Sequence, residues 1–128
     1  MTIKDAMNTS DAGNSTKNYL KNDAYSNERG HKVMFQLIRQ WATDRNLIKG
    51  ALPKDQMLKM VEEMGELGKA VGKNDMMQIV DGIGDCVVVL TILAAQYNLS
   101  IEDCIESAYN EIKNRKGRME NGLFIKEE

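Results

Sequence analysis

This chain is poor in the residues that staple, break or ligate. It has one proline, Pro53, and one histidine, His31, in 128 residues. A single imidazole cannot by itself build a zinc site or a histidine-based triad, so His31 reads as a surface residue near a helix start. Two cysteines, Cys86 and Cys104, are too few for a disulfide framework. Both fall within helical patterns and read as small buried hydrophobes. Neither sign of charge dominates: 17 Lys and Arg stand against 19 Asp and Glu, a net charge of -2. Without a strong positive field, no nucleic-acid partner is expected. Long apolar runs are missing too. The most apolar stretch, Cys86 to Ala95, is too short to span a bilayer and contains Thr91. The N-terminus has no signal-type apolar core. No membrane partner is expected, and the natural compartment is the cytoplasm.

What is present is helical periodicity. Residues 1–28 are rich in Asn, Ser, Asp and Lys with sparse apolar residues, and read as a flexible N-terminal arm. Residues 29–119 form the helical domain, and 120–128 a C-terminal tail whose end is extended. The first helix is expected from about Arg29 to Arg45, with Met34, Leu37, Ile38 and Trp41 on its apolar stripe. The second starts at Pro53, a residue suited to a first turn, and ends at Gly72-Lys73-Asn74. Met57, Met60, Val61, Met64, Gly68 and Val71 make its seam, read as core. The third runs from about Asp75 to Tyr97. The fourth is capped by Ser100 with Asp103 three residues on, carries Ile101, Cys104, Ile105, Ala108 and Ile112, and fades near Gly117. The fold class is all-α, an antiparallel four-helix bundle with short connections. The third helix is apolar almost all round from Cys86 to Ala95. One small bundle cannot cover it on every side, so a homo-oligomer, dimer or tetramer, is expected.

Into these apolar patterns run two groups of acids. Glu63 and Glu66 lie about 60° apart on the second helix at about 100° per residue. On the third, Asp81 and Asp85 are one turn apart, and their row continues into Val88, Val89 and Ile92. A carboxylate drawn into a core protonates unless a cation or hydrogen-bond donors compensate it. Two facing acid rows make an oxygen-rich pocket of the kind hard divalent ions prefer, Mg²⁺ above all, with Mn²⁺ the substitute. The bland alternative is a solvated acidic face paired with Lys59, Lys69 or Lys73. Gly65, Gly82 and Gly84 weigh against it, since each weakens a helix and suggests close approach or room for a ligand. The segment Gly68-Lys69-Ala70-Val71-Gly72-Lys73-Asn74 looks superficially like a phosphate loop. Its spacing is one residue short, Asn stands where Ser or Thr belongs, and no strand precedes it, so that reading is rejected.

At these residues the chain resembles the MazG-like nucleoside triphosphate pyrophosphohydrolases. The family pattern is Glu-x-x-Glu, a spacer, then Glu-x-x-Asp. Glu63-Met64-Gly65-Glu66 matches the first half, within the longer form that includes Glu62, and Asp85 matches the final Asp. The segment Asn110-Glu111-Ile112-Lys113-Asn114-Arg115-Lys116-Gly117 is similar as well, and coverage runs from about Arg29 to Met119. The closest flavour is the short phage and bacterial type, which would place the protein in a host cytoplasm if phage-encoded.

The resemblance implies Mg²⁺-dependent hydrolysis of an NTP or dNTP between the α and β phosphates, giving a monophosphate and pyrophosphate. Glu63, Glu66 and Asp85 would hold the metal, with Asp81 assisting. Glu62 would hold metal or position the attacking water. Lys113 and Arg115 would neutralise phosphate, Asn110 would orient metal or phosphate, and Trp41 would pack near the base. On physics alone Trp41 reads first as core. There is one departure: the family's Glu three residues before the Asp is Gly82 here, with Asp81 the nearest substitute. That departure supports the rival reading, a weak or inactive helical module that binds nucleotides.

Overall fold

The computed structural model describes residues 28–128, with side chains from residue 33. The expected N-terminal arm, 1–28, lies almost wholly outside the described residues. Four helices follow: α1 (Glu28–Asp44), α2 (Pro53–Lys73), α3 (Met76–Gln96) and α4 (Ile101–Ile112). The local chemistry sets their ends. Pro53 opens α2, where its missing N–H costs nothing. The Asp75 side chain accepts from the Gln78 amide at the start of α3, and Ser100 accepts from Asp103 at the start of α4. Asn46, Asn74 and Asn98, just past α1, α2 and α3, take left-handed φ values of 57°, 56° and 58°. Asparagine here does the chain-reversing work usual for glycine after a helix.

The helix α3 is the hub. It packs most extensively on α2, folded back against it through the Asn74-Asp75 turn, and then on α1 and α4. Its buried face carries Cys86, Val89, Thr91, Ile92 and Ala94. Ile92 is 3% exposed, and full burial of such a side chain is worth about 1.5–3 kcal/mol. Thr91 closes its hydroxyl onto the Val87 carbonyl at 2.7 Å. The Gln96 side-chain amide donates to the carbonyls of Leu47 and Ala51, pinning the α1–α2 connection to the end of α3. Arg39 on α1 forms a two-pronged ion pair with Glu102 on α4, which raises the guanidinium pKa mainly through that hydrogen bond. By length and apolarity alone α3 could cross a membrane. Here it packs on three helices and carries Asp81 and Asp85 in its first half, charges that a bilayer interior penalises.

Three sequence expectations are corrected. The apolar seam of α2 points outward: Met57, Val61, Met64 and Val71 are 47%, 64%, 56% and 58% exposed. The buried residues of α2 are Gln56, Glu63 and Ala70, one heptad apart, and Leu67 on the same side meets Gly82 of α3. The seam was read from hydrophobicity alone, which cannot say which neighbour will cover it. Cys104 is exposed, whereas Cys86 is buried as expected, and both are free thiols. Finally, α4 stops at Ile112, and the chain continues into an antiparallel hairpin, β1 (Gly117–Glu120) and β2 (Leu123–Lys126). Asn121 and Gly122 form its turn at φ 51° and 79°, the positive pair a type I′ turn needs. Every hairpin residue is exposed, including Phe124 at 50%.

Candidate active site

The cleft between α2 and α3 collects the acids. Glu63 is the exceptional one. It sits on the α3-facing side of α2 and is 7% exposed. One carboxylate oxygen, Oε1, lies 3.2 Å from the Lys59 ammonium. The other, Oε2, is buried without a hydrogen-bond partner. A buried carboxylate oxygen left in that state carries its full desolvation cost. Lys59 also lies 3.5 Å from Glu62, and its pKa is raised, chiefly by the hydrogen bond to Glu63 and by the charge of Glu62. Lys59 is thus the one lysine of the expected three that pairs with these acids. Such a surface pair is worth little on its own.

Across the cleft, the Asp85 carboxyl is pushed above the ordinary aspartate value of 3.8. Partial burial is the main cause, and the charges of Glu63 and Asp81 add to it, opposed by Lys59. These acids therefore feel one another across the two helices. A cavity of about 390 Å³ opens beside them, lined by Glu66, Lys69, Lys73, Gln78, Asp81, Gly82 and Asp85. A second cavity of similar volume lies toward α1, lined by Leu37, Ile38, Trp41, Asp85 and Val88. Asp85 belongs to both, so it marks where a charged compartment meets an apolar one. Trp41 is 45% exposed, with the Arg45 guanidinium 4.5 Å from its ring centroid. Its ring is a wall of the second cavity rather than core.

The expected residues divide accordingly. Glu66, Asp81 and Asp85 share the charged cavity, Glu63 adjoins Asp85 electrostatically, and Trp41 shares the apolar cavity with Asp85. Glu62 is exposed beside Lys59. Asn110, Lys113 and Arg115 are exposed at the far end of α4 and line neither cavity; Lys113 donates to the Asn110 side chain at 3.1 Å. Sequence reasoning missed Lys69, Lys73 and Gln78 as lining residues. The i, i+4 spacing of the two lysines in register with Glu66 would have found them.

Do these residues suit a divalent cation? Among the described residues, no three acidic side chains converge on one point in the arrangement seen. The chemistry nevertheless fits. The donors are all carboxylate oxygens, one is buried and unpartnered, and Glu66, Asp81 and Asp85 are exposed side chains with rotamers to spare.

An all-α chain with an acid-lined cleft between two paired helices is a candidate metal-assisted hydrolase of phosphate esters or anhydrides. Comparison with known proteins narrows this. Residues 53–119, just over half the chain, match the MazG nucleotide pyrophosphohydrolase domain, and the chain belongs to that family. It is also similar to the uncharacterized 18.2 kDa protein in the rep-hol intergenic region of Haemophilus phage HP1, with 50% identity over 62 residues. That alignment covers 48% of this chain and 38% of the phage protein. No solved structure matches the chain.

Proposed function

We propose that the protein is a divalent-metal-dependent nucleotide pyrophosphohydrolase that cleaves NTPs or dNTPs between the α and β phosphates. The observation that carries this reading is the unpartnered, buried Oε2 of Glu63, set against a row of acids on the facing helix. A fold tolerates such an atom where something else satisfies it. Glu63, Glu66 and Asp85 would hold Mg²⁺ or Mn²⁺, assisted by Asp81. The ion, when bound, supplies charge neutralisation at the phosphates and lowers the pKa of water.

The chain's own groups do the rest. The Leu37, Ile38, Trp41 and Val88 cavity takes the flat apolar face of a base. Asp85, at the junction of the two cavities, would hold the metal ion where the charged and apolar compartments meet. Glu62, exposed next to the cleft, accepts the proton of the attacking water. The water oxygen bonds to the α phosphorus as the bridging oxygen leaves with pyrophosphate. Asn110, Lys113 and Arg115 line neither cavity of the single chain, so contact with phosphate would come from a second copy or from motion of the C-terminal segment.

The outward seam of α2 favours a homo-oligomer, dimer or tetramer, since four large apolar residues on one helix face are left in water. The cytoplasm, of a phage host if phage-encoded, is the proposed compartment. A second reading, a nucleotide-binding module without turnover, draws on Gly82 standing where the family pattern has Glu. The test is phosphate analysis on a panel of NTPs and dNTPs, with Mg²⁺ and with EDTA. Monophosphate and pyrophosphate should appear only with Mg²⁺ and vanish in Glu66→Gln. Nucleotide binding without products, from folded protein with Mg²⁺, would favour the second reading.

A further inference from the structure

Gly82 lies at the tightest point of the α2–α3 contact. A Cβ added there would meet Leu67 at 3.1 Å from Cδ1, 3.2 Å from Cβ and 3.3 Å from the Cα. Contacts this close are tight, and Leu67 would have to give by a few tenths of an ångström to admit a Cβ. The carboxylate of the family pattern is thus missing at a point of close helix approach. Asp81, one residue back, is turned about 100° around the helix and lines the charged cavity instead.

That cavity has another kind of group. Lys69 and Lys73 stand one turn apart on α2, continuing the row begun by Glu66, and both line it. Lys59 is held by Glu62 and Glu63. Among the described residues, neither Lys69 nor Lys73 is in an ion pair, although Glu66, Asp81 and Asp85 share the cavity with them. The cavity holds many times a water molecule's share of about 30 Å³. Two uncommitted ammonium groups beside Glu66 and across from Asp81 and Asp85 suit a ligand that is itself an anion carrying a cation.

We propose that Lys69 and Lys73 form a diphosphate-binding wall, supplying the positive charge that a further carboxylate-held metal ion would otherwise bring, so that the site works with one divalent ion per chain. This rests on the pyrophosphohydrolase reading and adds to it the groups that grip the leaving pyrophosphate. Lysine suits the role as a compact point charge on a flexible stem. Gln78, on the α3 side of the cavity, offers an uncharged donor.

The test is calorimetric titration of the full chain with Mn²⁺ alone, then with inorganic pyrophosphate in the presence of Mn²⁺. The variants are Lys69→Met, Lys73→Met, the double Met variant and the double Arg variant. Both positions are exposed, and Met is a good helix former, so the fold should persist. Wild type should bind one Mn²⁺ per chain. Each single Met variant should bind pyrophosphate about tenfold more weakly, and the double about a hundredfold, with Mn²⁺ affinity no lower than in wild type. The double Arg variant should recover most of the binding. Equal pyrophosphate binding by wild type and the double Met variant, or two Mn²⁺ per chain, would overturn the lysine proposal and leave the enzyme reading standing. Binding of neither ion nor pyrophosphate by wild type would overturn both.

Discussion

Two adjoining faces of α2 differ in what covers them. The face against α3 holds buried Gln56, Glu63 and Ala70, with half-buried Leu67 against Gly82 at its tightest point. The side about 100° further round presents Met57, Val61, Met64 and Val71 to solvent. The proposed function would add a cation at the unpartnered oxygen of Glu63 on the first face, and the proposed oligomer a protein surface on the methionine and valine seam of the second.

The comparison can be broken first from the inside. Glu63→Gln, Glu66→Gln or Asp85→Asn should each lower pyrophosphate release by about a hundredfold or more, judged against the loss typical of disturbing even the supports of metal ligands. Glu63→Leu should abolish activity yet leave the metal-free fold about as stable as wild type or more so, because a buried carboxylate with one unpartnered oxygen is replaced by an apolar group and only a partly exposed ion pair with Lys59 is lost. Chemical denaturation in EDTA checks this.

From the outside, the proposed oligomer predicts a wild-type mass by light scattering of two or four chains, which Val61→Glu with Met64→Lys should lower to one, with helix content unchanged by circular dichroism. Smaller is the effect at the contact between the helices. Gly82→Ala sets overpacking against Leu67 against a helix-propensity gain of about 1 kcal/mol, so its net effect on stability should be small. Gly82→Glu, with a longer side chain at the same contact, should destabilise the protein more than Gly82→Ala rather than complete the family pattern.

The smallest effect is electrostatic. Asp85 has a folded pKa raised above its ordinary value of 3.8. Its charged form is thus a net cost to the metal-free fold at neutral pH. The cost shrinks as pH falls through the folded pKa and is gone below the unfolded one. Asp85→Asn should raise metal-free stability at pH 7 by less than about 1 kcal/mol, given solvent screening. The gain should disappear in acid, and a denaturation series against pH reads both.

Much of this was legible in the residues, and the reasons differ by element. Pro53, Asn74 and Ser100 mark helix ends because capping is local chemistry, decided within a few residues. The pairing of Glu66, Asp81 and Asp85 around one cavity was legible because helical spacing fixes azimuth once two helices face each other. The direction of the α2 seam was not, because period reveals that a stripe exists and not which neighbour covers it. The hairpin had a local signal that was passed over, Asn121-Gly122 between Met119 and Leu123. An isolated two-stranded hairpin is marginal in water, which is why a short tail reads more readily as extended. The tightness at Gly82 depends on the crossing of two helices and lies beyond any one-dimensional pattern.

The most direct test of the proposed metal site at Glu63 is thermal melting with and without divalent metal, in wild type and Glu63→Gln. A ligand that binds only the folded state raises its melting temperature. Wild type should melt at a higher temperature in millimolar Mg²⁺ or Mn²⁺ than in EDTA, and Glu63→Gln should show no such shift. An unchanged wild-type midpoint with both ions, or the same shift in the variant, would contradict a metal site centred on the buried carboxylate.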